Sequence, residues 1–238
     1  MMISTTQLRS AVSGAFLAIC LAASGAVAQG YESRDALRFG LFGHFERTNL
    51  HVDTTSTATP PAAATSTAVP ISGLGGGVSL GYDWVRHRTL YGIEGDFSVL
   101  VGQDTWLNPN GLASASVLYS QQHLATLRGR LGWYATPQLL LYGTAGFAAQ
   151  SFAARPGTAV NPAFTERPTV FGGVIGIGTE VDWHLYAKLF AEYQYASFGH
   201  FANSIDTTTT ASVSSHSHIL RLGVKFAFGE EHWRNAGW

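Results

Sequence analysis

Charged side chains that could form ion pairs alternate with apolar or small residues along much of the chain. Glu94 and Asp96 flank one glycine and Arg128 and Arg130 flank another, so each pair shares one face of an extended strand. Acids and bases on one face can form structural ion pairs or line a selectivity filter, and we favour the structural network. It is predicted to contain Arg38, Asp83, Glu94, Asp96, Arg128, Arg130, Glu180, Lys188, Glu192, Arg221 and Lys225, with Glu46 and Asp182 on the same face.

A second group with possible chemistry is Ser215-His216-Ser217-His218, preceded by His200 and Asp206. A serine beside a histidine could supply a nucleophile and its base, and two histidines could begin a metal site. The sequence fixes no third partner for either, and it contains no HExxH or CxxC motif and no phosphate-binding glycine loop before a helix. We therefore predict that the protein is not an enzyme, with no catalytic, cofactor-binding or metal-binding residues.

The composition excludes several classes of protein. Of 238 residues, 46% are hydrophobic and only 12% are charged, against roughly 25% charged in an ordinary soluble domain. The chain has 14 Lys and Arg against 15 Asp and Glu. It lacks the basic excess of a nucleic-acid-binding protein and the acidic excess of a disordered chain.

The first 28 residues predict a signal peptide. Arg9 precedes an apolar stretch over 11–26, and Ala26-Val27-Ala28 forms a small-x-small cleavage site. Cleavage there removes Cys20, the single cysteine, so the exported protein has no disulfides. No later segment has the ~18 consecutive apolar residues of a membrane helix.

The remaining chain alternates with the period of β-strands. In 220–228, for example, Leu222 and Val224 fall on one face and Arg221 and Lys225 on the other. Eight such runs are predicted, although the faces of 139–150 cannot be assigned because that run carries no charge. The runs are 37–46, 74–84, 90–99, 125–134, 139–150, 171–183, 185–198 and 220–228.

The links between these strands alternate in length, which places all long loops at one end of the sheet. Short links are predicted near 85–89, 135–138 and 184, and long ones near 50–71, 101–117, 153–167 and 199–215. All eight prolines fall in links or at a strand start, where a residue without an N–H is tolerated. Thr54–Pro70 and Thr207–Ser215, rich in Thr, Ser and Ala, are predicted to be loop tips.

Alternation alone fits either a soluble barrel or β-sandwich with charges outside, or a membrane barrel with charges inside. The apolar face carries no charge in any strand with assigned faces, as lipid requires, and the glycine-rich polar face offers the provisional ion pairs Glu94–Arg130, Glu192–Arg221 and Arg38–Asp83.

Aromatic residues gather at two levels, as at the two edges of a bilayer. Trp84, Tyr91, Trp133, Trp183 and Phe228 lie near the short turns, and Tyr119, Tyr193 and Tyr195 lie toward the long loops. We therefore predict apolar side chains outside and a closed sheet.

Three segments resemble small outer-membrane β-barrel proteins of the porin-family or surface-antigen group, within the OmpA/opacity-like barrels. They are Leu124–Ala148 (LATLRGRLGWYATPQLLLYGTAGFA), Leu90–Leu100 (LYGIEGDFSVL) and Arg221–Phe228 (RLGVKFAF). The resemblance covers nearly all of 36–228 and implies an all-β fold in the Gram-negative outer membrane. That fold is an eight-stranded antiparallel up-and-down transmembrane β-barrel with short periplasmic turns and four long outer loops. Unlike family members that stop at the last aromatic residue of the closing strand, this chain has ten residues after Phe228.

The expected organisation is a signal peptide (1–28), an outer-membrane barrel (29–228) and a C-terminal extension (229–238), with no peptidoglycan-binding domain after the barrel. An eight-stranded interior is just wide enough to be filled by side chains, so the leading hypothesis is a structural barrel with a filled lumen and exposed contact loops. A narrow diffusion channel and a lipid A-modifying enzyme are the alternatives. Expected partners are outer-membrane lipid, lipopolysaccharide and, during assembly, the barrel-insertion machinery, but no nucleic acid. The sequence does not identify a ligand for the loops.

Overall fold

The structure is a computed structural model that describes residues 35–56, 65–102, 105–107, 117–156, 169–184, 187–204 and 209–229. The predicted signal peptide and all of the predicted C-terminal extension except Gly229 lie outside these ranges. Within them, no helix has the length and apolar character needed to span a bilayer.

The described residues form a single antiparallel sheet that closes on itself. β3 and the short β4 both pair with the same side of β5, and β9 pairs back onto β1, so the barrel has eight sides. This confirms the predicted architecture. The strands are β1 (Asp35–Ser56), β2 (Thr65–Arg86), β3 (Thr89–Gly102), β4 (Thr105–Leu107), β5 (Val117–Thr136), β6 (Leu139–Pro156), β7 (Thr169–His184), β8 (Ala187–Ser204) and β9 (Thr209–Gly229).

The strand register fixes the stagger of the barrel. Each residue has a registered partner on the neighbouring strand. If these partners are followed from strand to strand around the barrel, starting at Arg38 of β1, the path returns to β1 at Thr48, ten residues further along. Such a stagger requires tilted strands, roughly 35–45° from the barrel axis, and eight strands leave an interior that side chains fill. Residues from distant strands therefore meet inside the barrel.

The charged face is the inner face. Ile177 and Trp133 are 61% and 49% exposed on the outside, whereas Arg130 and Glu94 are 3% and 2% exposed. In β6, whose faces the sequence leaves open, the even-numbered residues from Leu140 to Gln150 point inward. An outer surface of large apolar side chains is what a bilayer requires of a barrel.

The outer apolar band has the height of a hydrocarbon layer. On β1 the outward positions from Leu37 to Phe45 carry no charge, and on β9 the same holds from Phe228 to Leu220. The two segments are in register, Leu37 with Phe228 and Phe45 with Leu220. Each spans nine residues, in line with the ≈9–11 that a tilted strand uses to cross a bilayer.

The strands continue well past this band, so three of the predicted loops are shorter than expected. β1 reaches Ser56 and β2 begins at Thr65, which places part of the predicted loop tip Thr54–Pro70 in strands. Only residues 205–208 separate β8 from β9, and β6 reaches Pro156. Threonine favours strands because its branched side chain packs well on a pleated surface, but a Thr/Ala/Ser segment shows no apolar alternation.

Pro70 therefore lies in a strand and not in a link. It pairs with Asn49 of β1, at a height where the described residues of β2 have no partner on the β3 side, since that pairing begins at Gly73. A proline is tolerated at such an edge because a missing N–H can face away from the ladder.

The short turns lie where the sequence predicts them, at 87–88 and 137–138, and residues 185–186 separate β7 from β8. At this end, Arg86 donates to Asp35 over 2.5 Å, with both side chains exposed. This hydrogen bond, together with the nearby positive charge, lowers the pKa of the Asp35 carboxyl. The pair links the start of β1 to the end of β2, outside the apolar band.

Inward-facing glycines make room for the lumen side chains. A Cβ on Gly178 would lie 2.5 Å from Cζ of Tyr142 and 2.9 Å from the Ala191 carbonyl oxygen. By contrast, a Cβ on the outward-facing Gly129 would meet nothing closer than the Ala145 carbonyl oxygen at 3.8 Å.

We expect Gly178→Ala to lower the free energy of unfolding by about 1–3 kcal/mol through overpacking. Gly129→Ala is the matched control and should leave stability nearly unchanged. Urea unfolding in lipid vesicles measures both. Equal effects at the two positions would contradict the packing argument.

Candidate functional site

An ionic network fills the central lumen. Arg130 on β5 forms ion pairs with Asp83 at 3.1 Å, with Glu94 at 3.3 Å and with Glu180. Arg38 on β1 binds the same Asp83 at 2.6 Å and the same Glu180 at 2.7 Å. Because these acids lie on β2, β3 and β7, two arginines join opposite walls of the barrel.

Arg128, two residues from Arg130 on β5 in the direction of the long loops, binds a second group of carboxylates. Its guanidinium contacts Glu94 at 2.8 Å, Asp96 at 2.7 Å and Glu192 of β8. Its Nε donates to the Thr126 hydroxyl over 2.9 Å. The arginine thus holds carboxylates from β3 and β8 together across the lumen.

Two bases of β9 complete the network. Arg221 donates to both carboxylate oxygens of Asp96, at 2.9 and 3.0 Å. Lys225 lies 2.6 Å from Glu94 and 3.2 Å from Glu180. Both reach from β9 to β3 on the far side of the barrel.

The network is electrically balanced. Five bases, Arg38, Arg128, Arg130, Arg221 and Lys225, face five acids, Asp83, Glu94, Asp96, Glu180 and Glu192. All ten are buried. Ions removed from water persist only when paired, and here each carboxylate meets at least one base.

Apolar side chains lie on both sides of the network, and on the long-loop side they are mixed with buried polar side chains such as Thr48, Gln150 and Ser217. Toward the short turns, a buried cluster of Val85, Leu90, Tyr134, Leu140 and Tyr142 fills the lumen. Toward the long loops, fully buried apolar residues point inward from four strands. They are Leu50, Ile71, Leu124 and Ile219. The described lumen is a packed core with an ionic centre.

Two expectations about these charges are wrong. Lys188 is not a member of the central network: at the short-turn end it pairs with the exposed Asp182 at 2.5 Å. Glu192 and Arg221 are registered neighbours on β8 and β9, but Glu192 binds Arg128 and Arg221 binds Asp96. Their side chains extend across the lumen to β5 and β3. The provisional pairs Glu94–Arg130 and Arg38–Asp83 are present.

Several lumen residues escape sequence reasoning because they are uncharged or lie in the run with unassigned faces. Tyr142 donates to Glu192 over 2.8 Å, and its ring lies 4.5 Å from the Arg130 guanidinium carbon. Gln150 donates to Glu46 over 2.8 Å. His44, by contrast, is predicted on the charged face of 37–46, and it is buried there beside Phe42, whose ring lies 4.7 Å from the Arg221 guanidinium carbon. The sequence signal that could have identified Tyr142 and Gln150 is their even spacing in 139–150, which places both on the same face of the strand.

The predicted interface aromatics point outward. Near the short turns, Trp84 and Tyr91 stack with ring centroids 5.7 Å apart, and the larger part of the set is well exposed. Tyr193 and Tyr195 are half-buried toward the long loops. The set is Trp84, Tyr91, Trp133, Trp183, Tyr193, Tyr195 and Phe228. The side chain of Tyr119 lies outside the described residues.

The serines and histidines of 215–218 lie on opposite faces of β9. Ser215 and Ser217 are buried inside, where Ser217 bonds the Thr48 hydroxyl at 2.6 Å, whereas His216 and His218 are half-exposed outside. The barrel wall therefore separates each hydroxyl from its sequence-neighbouring imidazole. Among the described residues no His, Cys, Asp or Glu cluster could hold a metal ion. Asp206 and the side chain of His200 lie outside those residues.

Comparison with known proteins gives concordant matches. The profile of the family described as outer membrane protein beta-barrel domain matches residues 16–226. A 22 kDa outer membrane protein of Rhizobium leguminosarum bv. viciae is 31% identical over 157 residues, covering 65% of this chain and 67% of that protein. A 31 kDa outer-membrane immunogenic protein of Brucella melitensis is 28% identical over 171 residues, covering 67% and 68%.

Solved structures share the fold. The outer membrane protein OprG of Pseudomonas aeruginosa superposes with a TM-score of 0.53 at 14% identity, covering 85% of this chain and 99% of that one. The relatives matched by sequence are named as outer-membrane proteins.

Proposed function

This chain belongs to the outer membrane protein β-barrel domain family and lies in the outer membrane, and on that premise we propose that it is a non-conducting structural barrel. Its outer end would present contact surfaces outside the cell. The observation that carries the proposal is the balanced ionic network across the lumen, with a buried apolar cluster on its short-turn side.

A filled lumen opposes conduction for two reasons. An ion passing through would have to displace paired side chains that contact one another from opposite walls, such as Arg128 with Glu192 and Arg221 with Asp96. It would then meet the apolar cluster around Leu140 and Tyr142, where an unpaired ion costs several kcal/mol. A diffusion channel needs a continuous polar path instead.

The outer end supports a contact role. Beyond the apolar band, β1 continues from Phe45 to Ser56 and pairs with β2 and β9 along most of that length. At roughly 3.3 Å per residue, this extension carries the loops well above the bilayer. A relative named an immunogenic protein supports exposure of this end.

Single-channel recording in planar bilayers tests the proposal. Wild type should give no steady conductance, whereas Arg128→Ala, which removes contacts to three carboxylates, should leak. Lys188→Ala is the matched control, because it removes a lysine whose partner is at the rim, and should stay closed. A steady wild-type current would overturn the proposal in favour of a narrow channel.

A further inference from the structure

A group of basic side chains lies on the outer wall of the barrel and takes no part in the lumen network. We call Arg47, His51, His216 and His218 the outer basic patch. All four point outward from β1 and β9. Arg47 is registered with His218, and His218 with Tyr195, so three strands contribute to one row.

The patch begins where the apolar band ends. The row directly below it consists of Phe45, Leu220 and Tyr193, and it is the last row, going toward the long loops, before the first basic side chain. The next row introduces Arg47 and His218, and the one beyond it Asn49 and His216. In a bilayer, lipid headgroups begin at this depth.

The imidazoles are held in defined positions. Tyr193 Oη lies 2.7 Å from His218 Nδ1, and Tyr195 Oη lies 3.2 Å from His216 Nδ1. The Tyr195 ring stacks on His216 with an interplanar angle of 9°, and His51 packs edge-on against His216 at 6.3 Å. Such packing orients the rings before any ligand arrives.

We propose that the outer basic patch binds the phosphate of an outer-leaflet glycolipid, lipid A. In the proposed arrangement each tyrosine hydroxyl donates to an Nδ1, so that the ring proton is on Nε2 and Nε2–H is the donor to phosphate. Arg47 supplies the positive charge and a fork of N–H groups that match phosphate oxygens. Acyl chains then lie along the apolar band beneath the patch.

Charge complementarity and depth favour this occupant. Asp53 is exposed on the same face, two residues beyond His51, and its carboxylate disfavours an anion seated higher. A phosphate is therefore favoured at the band edge, where its acyl chains meet Leu220 and Phe45. Lipid A carries phosphate directly above its acyl chains.

Binding to the full-length exported protein, refolded in detergent micelles, tests the site by native mass spectrometry. The probes are lipid A diphosphate, fully dephosphorylated lipid A and inorganic phosphate. Wild type should prefer the diphosphate about ten-fold over the dephosphorylated form, the size expected for charge-assisted hydrogen bonds. The variant Arg47→Gln/His216→Gln/His218→Gln should lose that preference.

His123→Gln is the matched control. His123 is also an exposed, outward-facing histidine, stacked on Phe97 at 5.6 Å, but it lies on β5 on the opposite wall. It should keep the wild-type preference. Equal losses in the control and the triple variant, an unchanged preference in the triple variant, or inorganic phosphate competing as well as the lipid would each overturn the proposal.

A second variant separates positioning from charge. Tyr193→Phe/Tyr195→Phe keeps every basic group but removes both hydroxyls. It should weaken the preference for lipid A diphosphate and allow the imidazole proton to occupy either ring nitrogen. Nitrogen NMR of the imidazoles should show Nε2–H in wild type and a mixture in this variant. A wild-type proton on Nδ1 would contradict the proposed donor arrangement, and this test remains valid if the triple variant does not fold.

Discussion

Replacing Arg128 with methionine should lower the free energy of unfolding by about 3–5 kcal/mol, the cost of breaking a buried ion pair from one side. Methionine fills much of the same volume, so the loss reports charge and not a cavity. The variant leaves Glu192 without an ion-pair base among the described residues and takes one base from Glu94 and Asp96. Urea unfolding in lipid vesicles measures the change.

Two further variants separate this explanation from general disruption. Lys188→Met removes a lysine whose ion pair, within the described part of the chain, is with the exposed Asp182, and such a pair contributes about 0–1 kcal/mol. Adding Glu192→Gln to Arg128→Met should recover part of the loss, because it removes a stranded carboxylate. A loss below about 1 kcal/mol in Arg128→Met, or no recovery in the double variant, would show that the network does not stabilise the barrel.

Alternation was sufficient to predict the wall of this barrel. In β7, Ile177 and Glu180 differ by an odd number of positions, so a strand must place them on opposite faces, and the structure does so. The same rule fails to orient residues 139–150 from the sequence, because neither face there carries a charge. Register with β5 and β7 orients them instead.

The contacts inside the lumen could not be predicted in the same way. Glu192 and Arg221 lie on neighbouring strands, so adjacency predicts an ion pair between them. The ten-residue stagger instead brings the side chain of Arg221 on β9 to β3, and that of Arg128 on β5 to β8. That stagger depends on all eight pairings at once. The outer basic patch could not be predicted from the sequence for a similar reason. Arg47 and His218 are 171 positions apart in the chain, and only the pairing of β1 with β9 brings them together.

Leu41→Arg should lower the free energy of unfolding in lipid vesicles by about 2–4 kcal/mol, whereas Leu37→Arg should cost only about 0–1 kcal/mol. Both leucines lie on the outer face of β1 with nearly equal exposure, 48% and 46%. Leu41 is at the centre of the nine-residue apolar band and Leu37 is at its short-turn edge. The difference arises because an arginine at mid-depth must lose its water, while one at the edge reaches the interface.

The matched alanine variants at both positions remove the contribution of lost packing, so only the cost of the charge is compared. A soluble barrel with water on its outer face would tolerate arginine equally at Leu41 and Leu37, because exposed surface substitutions usually change stability by less than about 0.5 kcal/mol. Equal costs at the two depths would therefore contradict the placement of this wall in lipid. A depth-dependent cost would show that the apolar band of β1, in register with Leu220 and Phe228 of β9, meets acyl chains.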